Sequence, residues 1–190
     1  MFAATALHEA ALAPVPALSE EVLYWGAKQA DKNTYPGTSF RSIHLALGKW
    51  GQPEAHFWPY DPARNDRDAS YAPPPAAVDP VNCYHGRLAS VPLDVATVKA
   101  HLASGRTIAV SVQMSIGFFQ SVNGTVPVPQ PQELIAENHA VLLTGYEDAR
   151  NVFRFRNSWG ISWGASGYGE MPYDYFTQHG KSAYTLHVIL

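Results

Sequence analysis

The sequence feature that most constrains the fold is a pair of strand-like segments separated by a short turn. Residues 138–146 (NHAVLLTGY) form the first segment, and residues 151–156 (NVFRFR) alternate apolar and charged side chains, as a strand with one buried face does. Gly145 and the acidic pair Glu147 and Asp148 mark the turn between them. The two segments are therefore predicted to pair as a hairpin.

Such a hairpin brings together two polar side chains that lie 18 residues apart in the chain. His139 stands at the start of the first strand and Asn157 follows the second, so both are expected at the same end of the hairpin. An Asn oxygen that accepts from one imidazole N–H fixes the tautomer and orientation of the ring, and it leaves the other nitrogen for a nucleophile. The pair therefore predicts two-thirds of a catalytic triad.

The residues around this pair resemble the His and Asn blocks of the papain-like cysteine peptidases, in particular bacterial members of the papain family. The residues that carry the resemblance are His139-Ala140-Val141, Gly145-Tyr146, Asn157-Ser158-Trp159-Gly160, Trp163-Gly164 and Gly167-Tyr168. The resemblance implies that His139 is the general base for a catalytic Cys and that Asn157 orients it. It also implies that Trp159 shields the pair and forms part of the primed-side binding surface.

Three further residues take substrate-binding roles from the resemblance. Asn138 and Ala140 flank His139 and would line the unprimed part of the cleft, near the residue that sets substrate preference. Gly37 is what remains of the family's Gly-rich stretch, which supplies backbone hydrogen bonds to an extended substrate.

The nucleophile itself is expected upstream of Met1. In papain-type enzymes the His and Asn follow the Cys by roughly 130–150 residues, and counting back from His139 reaches the start of the chain. Phe2 and the residues after it resemble the segment that follows the family's Cys-Trp dipeptide. The resemblance therefore implies that the chain as given lacks the Cys and the upstream oxyanion-hole Gln, and that it is inactive as given.

Cys83 is the single cysteine, so it has to be weighed as an alternative nucleophile. It precedes His139 by 139 − 83 = 56 residues, far fewer than the papain spacing, and no papain-type signature surrounds it. Cys83 is therefore interpreted as a structural or surface cysteine.

The rest of the chain predicts helices first and strands afterwards. Helices are expected over the first thirteen residues, from Ser19 to about Ala30, from Thr38 or Ser39 to Trp50, and from Pro92 to Gly105. Residues 52–80, rich in Pro, Asp and aromatics, are interpreted as a connection between lobes, with residues 57–60 packing against one lobe. Strands are expected at residues 108–112 and from about Ala183 to Leu190, so the back half has strands and one helix.

This order predicts an α+β fold. The resemblance implies a papain-like architecture with a helical left lobe, an antiparallel β-barrel-like right lobe and a cleft between them. Residues 1–190 are expected to form a single peptidase domain, with the helical lobe and connection over about residues 1–80 and the β-rich lobe over about residues 81–190.

Composition limits the possible partners. A net charge of −3 and the lack of a Lys/Arg cluster give no electrostatic case for nucleic acid. No apolar run in the sequence reaches a membrane-spanning length. The eight His residues include no helical i, i+4 pair, so neither a metal nor another cofactor is expected. We expect a monomer that acts on a peptide or protein substrate.

Two functions from different classes remain open at this stage. The first is a papain-like cysteine peptidase that hydrolyses peptide bonds through a Cys-His-Asn triad in the full-length protein. The second is a non-catalytic pseudo-peptidase that binds peptides or a protein partner in the retained cleft. The simultaneous presence of His139 and Asn157 favours the peptidase, because binding alone does not require them together.

Overall fold

The structure is a computed structural model that describes residues 1–14, 17–32, 35–68 and 70–189. The chain divides into two compact units. The first comprises Met1, Ala3–Ala89 and the end of the chain from Leu186, and the second comprises Phe2 and Ser90–Thr185. The single-domain assignment with a boundary near residue 80 stays a prediction.

Helices dominate the first half of the chain. Its described elements are α1 (Phe2–Leu12), α2 (Glu20–Asp31), α3 (Phe40–Lys49), β1 (Gln52–Pro53) and β2 (Cys83–Val91). The three predicted helices are present. Residues 33 and 34, between the second and third predicted helices, lie outside the described residues.

Side-chain caps explain where these helices begin. The Ser19 hydroxyl accepts from the backbone N–H of Val22 at 3.2 Å and opens α2, and the Ser39 hydroxyl accepts from Ser42 N–H at 3.1 Å and opens α3. Each cap satisfies a backbone donor that the helix itself leaves unpaired.

Residues 52–80 do more than connect two lobes. Trp58 packs with Val22 and Ala77 in a buried cluster of the first unit, to which Phe57 and Tyr71 add partly buried rings. β1 pairs antiparallel with β2, with Gln52 opposite Tyr84. The expected packing of the Phe57 to Tyr60 segment therefore concerns chiefly Phe57 and Trp58, because Tyr60 is exposed.

The second half of the chain is rich in strands but contains more helix than predicted. Its described elements are α4 (Val95–Ala103), β3 (Ile108–Ser115), α5 (Ile116–Phe119), β4 (Ile135–Glu147), β5 (Val152–Arg156), β6 (Tyr168–Pro172), α6 (Tyr173–His179) and β7 (Gly180–Ile189).

The expectation of a single helix in this half is wrong. α5 begins because the Ser115 hydroxyl accepts from Phe118 N–H at 3.3 Å, and α6 forms because Tyr175 and Phe176 are buried on one of its faces. Both helices are too short to leave a periodic signal in the sequence. β7 also begins three residues earlier than predicted, at Gly180, and its predicted last residue, Leu190, lies outside the described residues.

The strands of the second unit form an antiparallel sheet in the order β7-β3-β4-β5-β6. The predicted hairpin is β4 with β5, in which Leu142 pairs with Arg156 and Glu147 with Val152. β4 starts earlier than expected because its first half pairs with β3, where His139 lies opposite Val112. His139 therefore lies within β4, at a position where β4 is paired with β3. It does not lie at the start of the strand, as the sequence predicted.

One apolar core supports this sheet. It combines alternate residues of the strands with rings from α5 and α6, including Val112, Phe118, Phe153, Phe155 and Tyr175, all of which are fully buried. The α+β class predicted from the sequence is the class observed.

Candidate active site

His139 and Asn157 are positioned by different backbone elements of the second unit. His139 lies on β4. Asn157 directly follows β5, and its backbone N–H donates to the carbonyl oxygen of Gly167 at 2.9 Å. Asn157 is 3% exposed, so its side chain has no room to turn toward solvent.

The two side chains are hydrogen-bonded, with 2.8 Å between His139 Nε2 and Asn157 Oδ1. The backbone N–H of Ser158 also lies 2.8 Å from Asn157 Oδ1. Because a backbone N–H can only donate, this amide atom must be the oxygen, and it can only accept from the ring. His139 therefore carries its proton on Nε2, which leaves the lone pair of Nδ1 as the basic position.

Aromatic rings surround the imidazole. The centroid of the Trp159 ring lies 5.0 Å from that of His139 at an interplanar angle of 31°, and Phe118 meets His139 edge-on at 5.9 Å. Burial lowers the pKa of His139 below its ordinary value of 6.5, and the hydrogen bond to Asn157 opposes that shift. At neutral pH the ring is thus neutral and able to accept a proton.

Trp159 is itself held by neighbouring rings. Phe119 stacks on it at 5.2 Å with an interplanar angle of 11°, Trp163 meets it edge-on at 5.4 Å, and Phe118 lies 5.8 Å away. These contacts fix the indole against the imidazole and exclude water from that side of the ring.

The Gly-rich segment after Asn157 is required by close backbone packing. Gly164 has a φ of +57°, and a Cβ placed there would lie 2.4 Å from the carbonyl oxygen of Tyr168. Gly167 has a φ of +88° and supplies the carbonyl oxygen that holds Asn157 N–H. Side chains other than hydrogen would strain both positions. The glycines thus keep Asn157 and Trp163 in place.

The predicted substrate-binding residues are distributed over both units. Asn138 and Ala140 flank His139 on β4, where they lie opposite Gln113 and Ser111 of β3. Asn138 is exposed and Ala140 is half-buried. Gly37 belongs to the first unit, is exposed, and has a φ of +80°. The substrate-binding roles of these residues, and that of Trp159, stay predictions.

Phe118 and Phe119 were not predicted as site residues. They are the last two of the four residues of α5, and Phe118 is fully buried against His139, Trp159 and Trp163. Glu133 was missed as well: its carboxylate accepts from the Gly117 backbone N–H at 2.7 Å and so holds the start of α5. Ser115, a good N-cap residue ahead of two aromatics, is the sequence signal that indicates this turn.

Cys83 lies on β2 in the first unit. Its thiol is hydrogen-bonded to the carbonyl oxygen of Ala77 at 3.5 Å, and burial raises its pKa to about 11. It borders a cavity of about 290 Å³ that is also lined by Glu54, His56 and Tyr84. A thiol with so high a pKa is a poor nucleophile at neutral pH.

Neither a metal cluster nor a membrane-crossing helix is found in the part of the chain that the structure describes. Among those residues, no three His, Cys, Asp or Glu side chains are grouped so that they could hold a metal ion. None of the described helices combines the length and the apolar character that crossing a membrane requires.

Two known proteins show what the sequence of this chain is similar to. An uncharacterized peptidase C1-like protein of Acanthamoeba polyphaga mimivirus is 26% identical over 151 residues, which cover 73% of this chain and 47% of that protein. Testin-2 of Rattus norvegicus is 30% identical over 89 residues, which cover 44% of this chain and 27% of Testin-2. The chain thus spans about half, or less, of the length of these relatives.

Solved structures show the fold. Xylellain, a cysteine protease from Xylella fastidiosa, superposes with a TM-score of 0.81 at 24% identity, over 100% of this chain and 78% of that one. The fold is papain-like. The model of the papain family cysteine proteases matches residues 32–185. The chain therefore belongs to the papain family of cysteine proteases.

Proposed function

We propose that this chain is part of a peptidase that hydrolyses peptide bonds through a Cys-His-Asn triad, with His139 as the general base and Asn157 as the residue that orients it. The observation that carries the proposal is the hydrogen bond from His139 Nε2–H to Asn157 Oδ1, whose acceptor is fixed by Ser158 N–H. A base must present one chosen nitrogen, and this arrangement fixes which ring nitrogen of His139 carries the proton.

The reaction follows from which nitrogen is basic. Nδ1 of His139 takes the proton of a cysteine thiol, and the resulting imidazolium pairs with the thiolate. The thiolate attacks the peptide carbonyl, and the C–N bond breaks as Nδ1–H of His139 gives its proton to the leaving amine. A water molecule, deprotonated by the same nitrogen, then hydrolyses the thioester and releases the acid and the thiol.

Asn157 acts through His139 in this scheme. While the ring is charged, both of its nitrogens carry protons, and Oδ1 of Asn157 keeps the Nε2 proton engaged. The same Asn157 oxygen also holds the imidazole in one orientation, in which the nucleophile can reach Nδ1. Its removal is therefore expected to weaken the reaction without abolishing proton transfer.

The nucleophile in this proposal is a Cys that precedes Met1, about two residues upstream by the family spacing. Two local effects would favour its thiolate: the positive end of α1 and the imidazolium of His139. Cys83 does not take this role in the proposal, because burial raises its pKa to about 11 and its thiol is hydrogen-bonded to the carbonyl oxygen of Ala77. The 190-residue chain by itself is then inactive.

The substrate is a peptide or protein. In the proposal, Trp159 covers the primed side of the pair, Asn138 and Ala140 line the unprimed side, and Gly37 offers backbone hydrogen bonds to an extended chain. We propose that the protein acts as a monomer, without nucleic acid or membrane as a partner.

The test is the activity of the protein produced from the reading frame extended upstream of Met1. We expect thiol-dependent hydrolysis of a fluorogenic peptide, which His139→Ala abolishes and Asn157→Ala reduces by a smaller factor. His187→Ala, which changes an exposed histidine of β7, is the matched control and keeps full activity.

An extended protein that carries Ser or Gly in place of the Cys and shows no turnover would instead identify a non-catalytic peptide-binding or partner-binding protein. Thiol-dependent turnover by the 190-residue chain that disappears in Cys83→Ser would contradict the placement of the nucleophile.

A further inference from the structure

One ionisable side chain in the first unit has no part in the proposed reaction and yet is fully buried. His8 lies just past the middle of α1 and is 0% exposed. Fully buried histidines that bind no metal require a reason, because the ring has two polar nitrogens to satisfy.

One ring nitrogen has a partner on β1. His8 Nδ1 lies 3.1 Å from Gln52 Oε1. The amide nitrogen of Gln52 donates to the backbone carbonyl oxygen of Ser19 at 3.0 Å and to the hydroxyl of Thr5 at 2.8 Å. A carbonyl oxygen can only accept, so the orientation of the Gln52 amide is fixed, and Oε1 must accept from His8 Nδ1–H.

The second ring nitrogen is therefore a bare lone pair in the interior. His8 Nε2 is buried and has no hydrogen-bond partner. It faces β2 at Gly86, where an added Cβ would lie 3.5 Å from it. A lone pair without a partner is tolerable there, but an N–H with a positive charge in the same place would be buried without an acceptor.

Neighbouring charges do not offset the energetic cost of protonating the buried ring. His85 on β2 acts on His8 and disfavours its protonation further. The nearest acidic side chain on α1, Glu9, accepts from Leu18 N–H at 2.8 Å. On α2, Glu21 is engaged by Tyr71 and Arg64.

We propose that His8 is an acid-sensitive latch of the first unit: its neutral ring keeps α1 packed in the interior with Nδ1–H on Gln52, and its protonation at Nε2 places a charge there without an acceptor and so loosens α1. The latch needs no ligand. It acts independently of whether the complete protein is a peptidase.

The direction of the pH dependence follows from burial. Burial lowers the pKa of His8, with the hydrogen bond to Gln52 as a smaller opposing effect. In the unfolded chain the same ring titrates near pH 6.5. Below that pH the unfolded state binds a proton that the folded state resists, so stability is full above about pH 6.5 and is lost as the pH falls toward the folded-state pKa.

The first experiment determines the tautomer in the unchanged chain. A long-range ¹H–¹⁵N spectrum of the imidazoles at pH 7.5 is expected to show His8 protonated on Nδ1, in contrast to His139, which carries its proton on Nε2. A His8 ring protonated on Nε2 at this pH would overturn the proposal, because Nε2 would then not carry the lone pair that the latch protonates.

The second experiment measures the consequence. The Tm of the unchanged chain is expected to fall between pH 7.5 and pH 5.0. The side-chain amide of His8→Asn can donate to Gln52 but cannot ionise. In that variant the fall in Tm should be smaller by about 3 °C or more. His187→Asn, the same change at an exposed histidine of the same unit, should match the unchanged chain. An equal fall in His8→Asn would overturn the proposal.

A third measurement decides the matter even if His8→Asn does not fold. Hydrogen exchange of the unchanged chain, corrected for the intrinsic effect of pH, should show loss of amide protection in residues 2–12 at pH 5.0 while β3 and β4 keep theirs. Protection of α1 that stays constant between the two pH values would refute a latch at His8.

Discussion

Phe118 offers the sharpest test of how the fold holds the site, because its ring touches the proposed base and the core at once. It is fully buried and contacts the rings of His139, Trp159, Trp163, Phe155 and Tyr175 at centroid distances between 5.8 and 6.2 Å. Its neighbour Phe119 is 48% exposed and stacks on Trp159. The two residues form a matched pair in one short helix.

Phe118→Ala is expected to lower the free energy of unfolding by about 3–5 kcal/mol, the range for a fully buried Phe that leaves a cavity. In a chain of this size that corresponds to a fall in Tm of roughly 6–20 °C. Phe119→Ala removes half-exposed surface and one ring contact, so about 1 kcal/mol is expected. Urea unfolding monitored by far-UV circular dichroism gives both values.

The same substitution has an electrostatic consequence. Water admitted beside the imidazole should move the pKa of His139 upward, toward its ordinary value of 6.5. An NMR titration of the ring measures this. The reasoning is refuted if Phe118→Ala destabilises the chain no more than Phe119→Ala does.

Three further predictions follow from individual contacts. Asn157→Asp replaces the neutral acceptor of His139 by a carboxylate and should raise the pKa of His139 above that in the unchanged chain, as NMR titration would show; an unchanged value would argue against the contact. Burial raises the pKa of Cys83 from 9.0 to about 11, so iodoacetamide should alkylate it about 100-fold more slowly at pH 7.5 than it alkylates a model thiol. An alkylation rate equal to that of the model thiol would contradict the burial of Cys83. Gly164→Ala should lower the stability more than Gly160→Ala does. Both glycines have a positive φ, but only a Cβ at residue 164 would clash with the carbonyl oxygen of Tyr168. Equal midpoints of urea unfolding for the two variants would contradict this prediction.

Local signals made much of the fold predictable from the sequence. Ser19 and Ser39 cap the helices that they were expected to cap, and the alternation in residues 151–156 is that of β5. The hairpin argument brought His139 and Asn157 together because strand pairing converts a separation of 18 residues into a hydrogen bond of 2.8 Å.

Long-range packing decided the features that were missed. Strand β4 extends back to Ile135 because β3 offers it a partner, which no local pattern around residue 135 indicates. α5 and α6 are stabilised by burying Phe118, Tyr175 and Phe176 against the sheet, and helices of four and seven residues carry no periodicity of their own. The tautomer of His139 depends on Ser158 N–H, a backbone contact that only coordinates disclose.

The most direct test of the proposed peptidase is to identify its nucleophile. The protein translated from the extended reading frame is treated with an electrophilic peptidyl epoxide, and the modified residue is located by mass spectrometry. We predict modification of a Cys upstream of Met1, at a rate that falls sharply in His139→Ala and is unchanged in Cys83→Ser. Modification of Cys83 instead, or a rate at the upstream Cys that does not depend on His139, would contradict the assignment of His139 as the base.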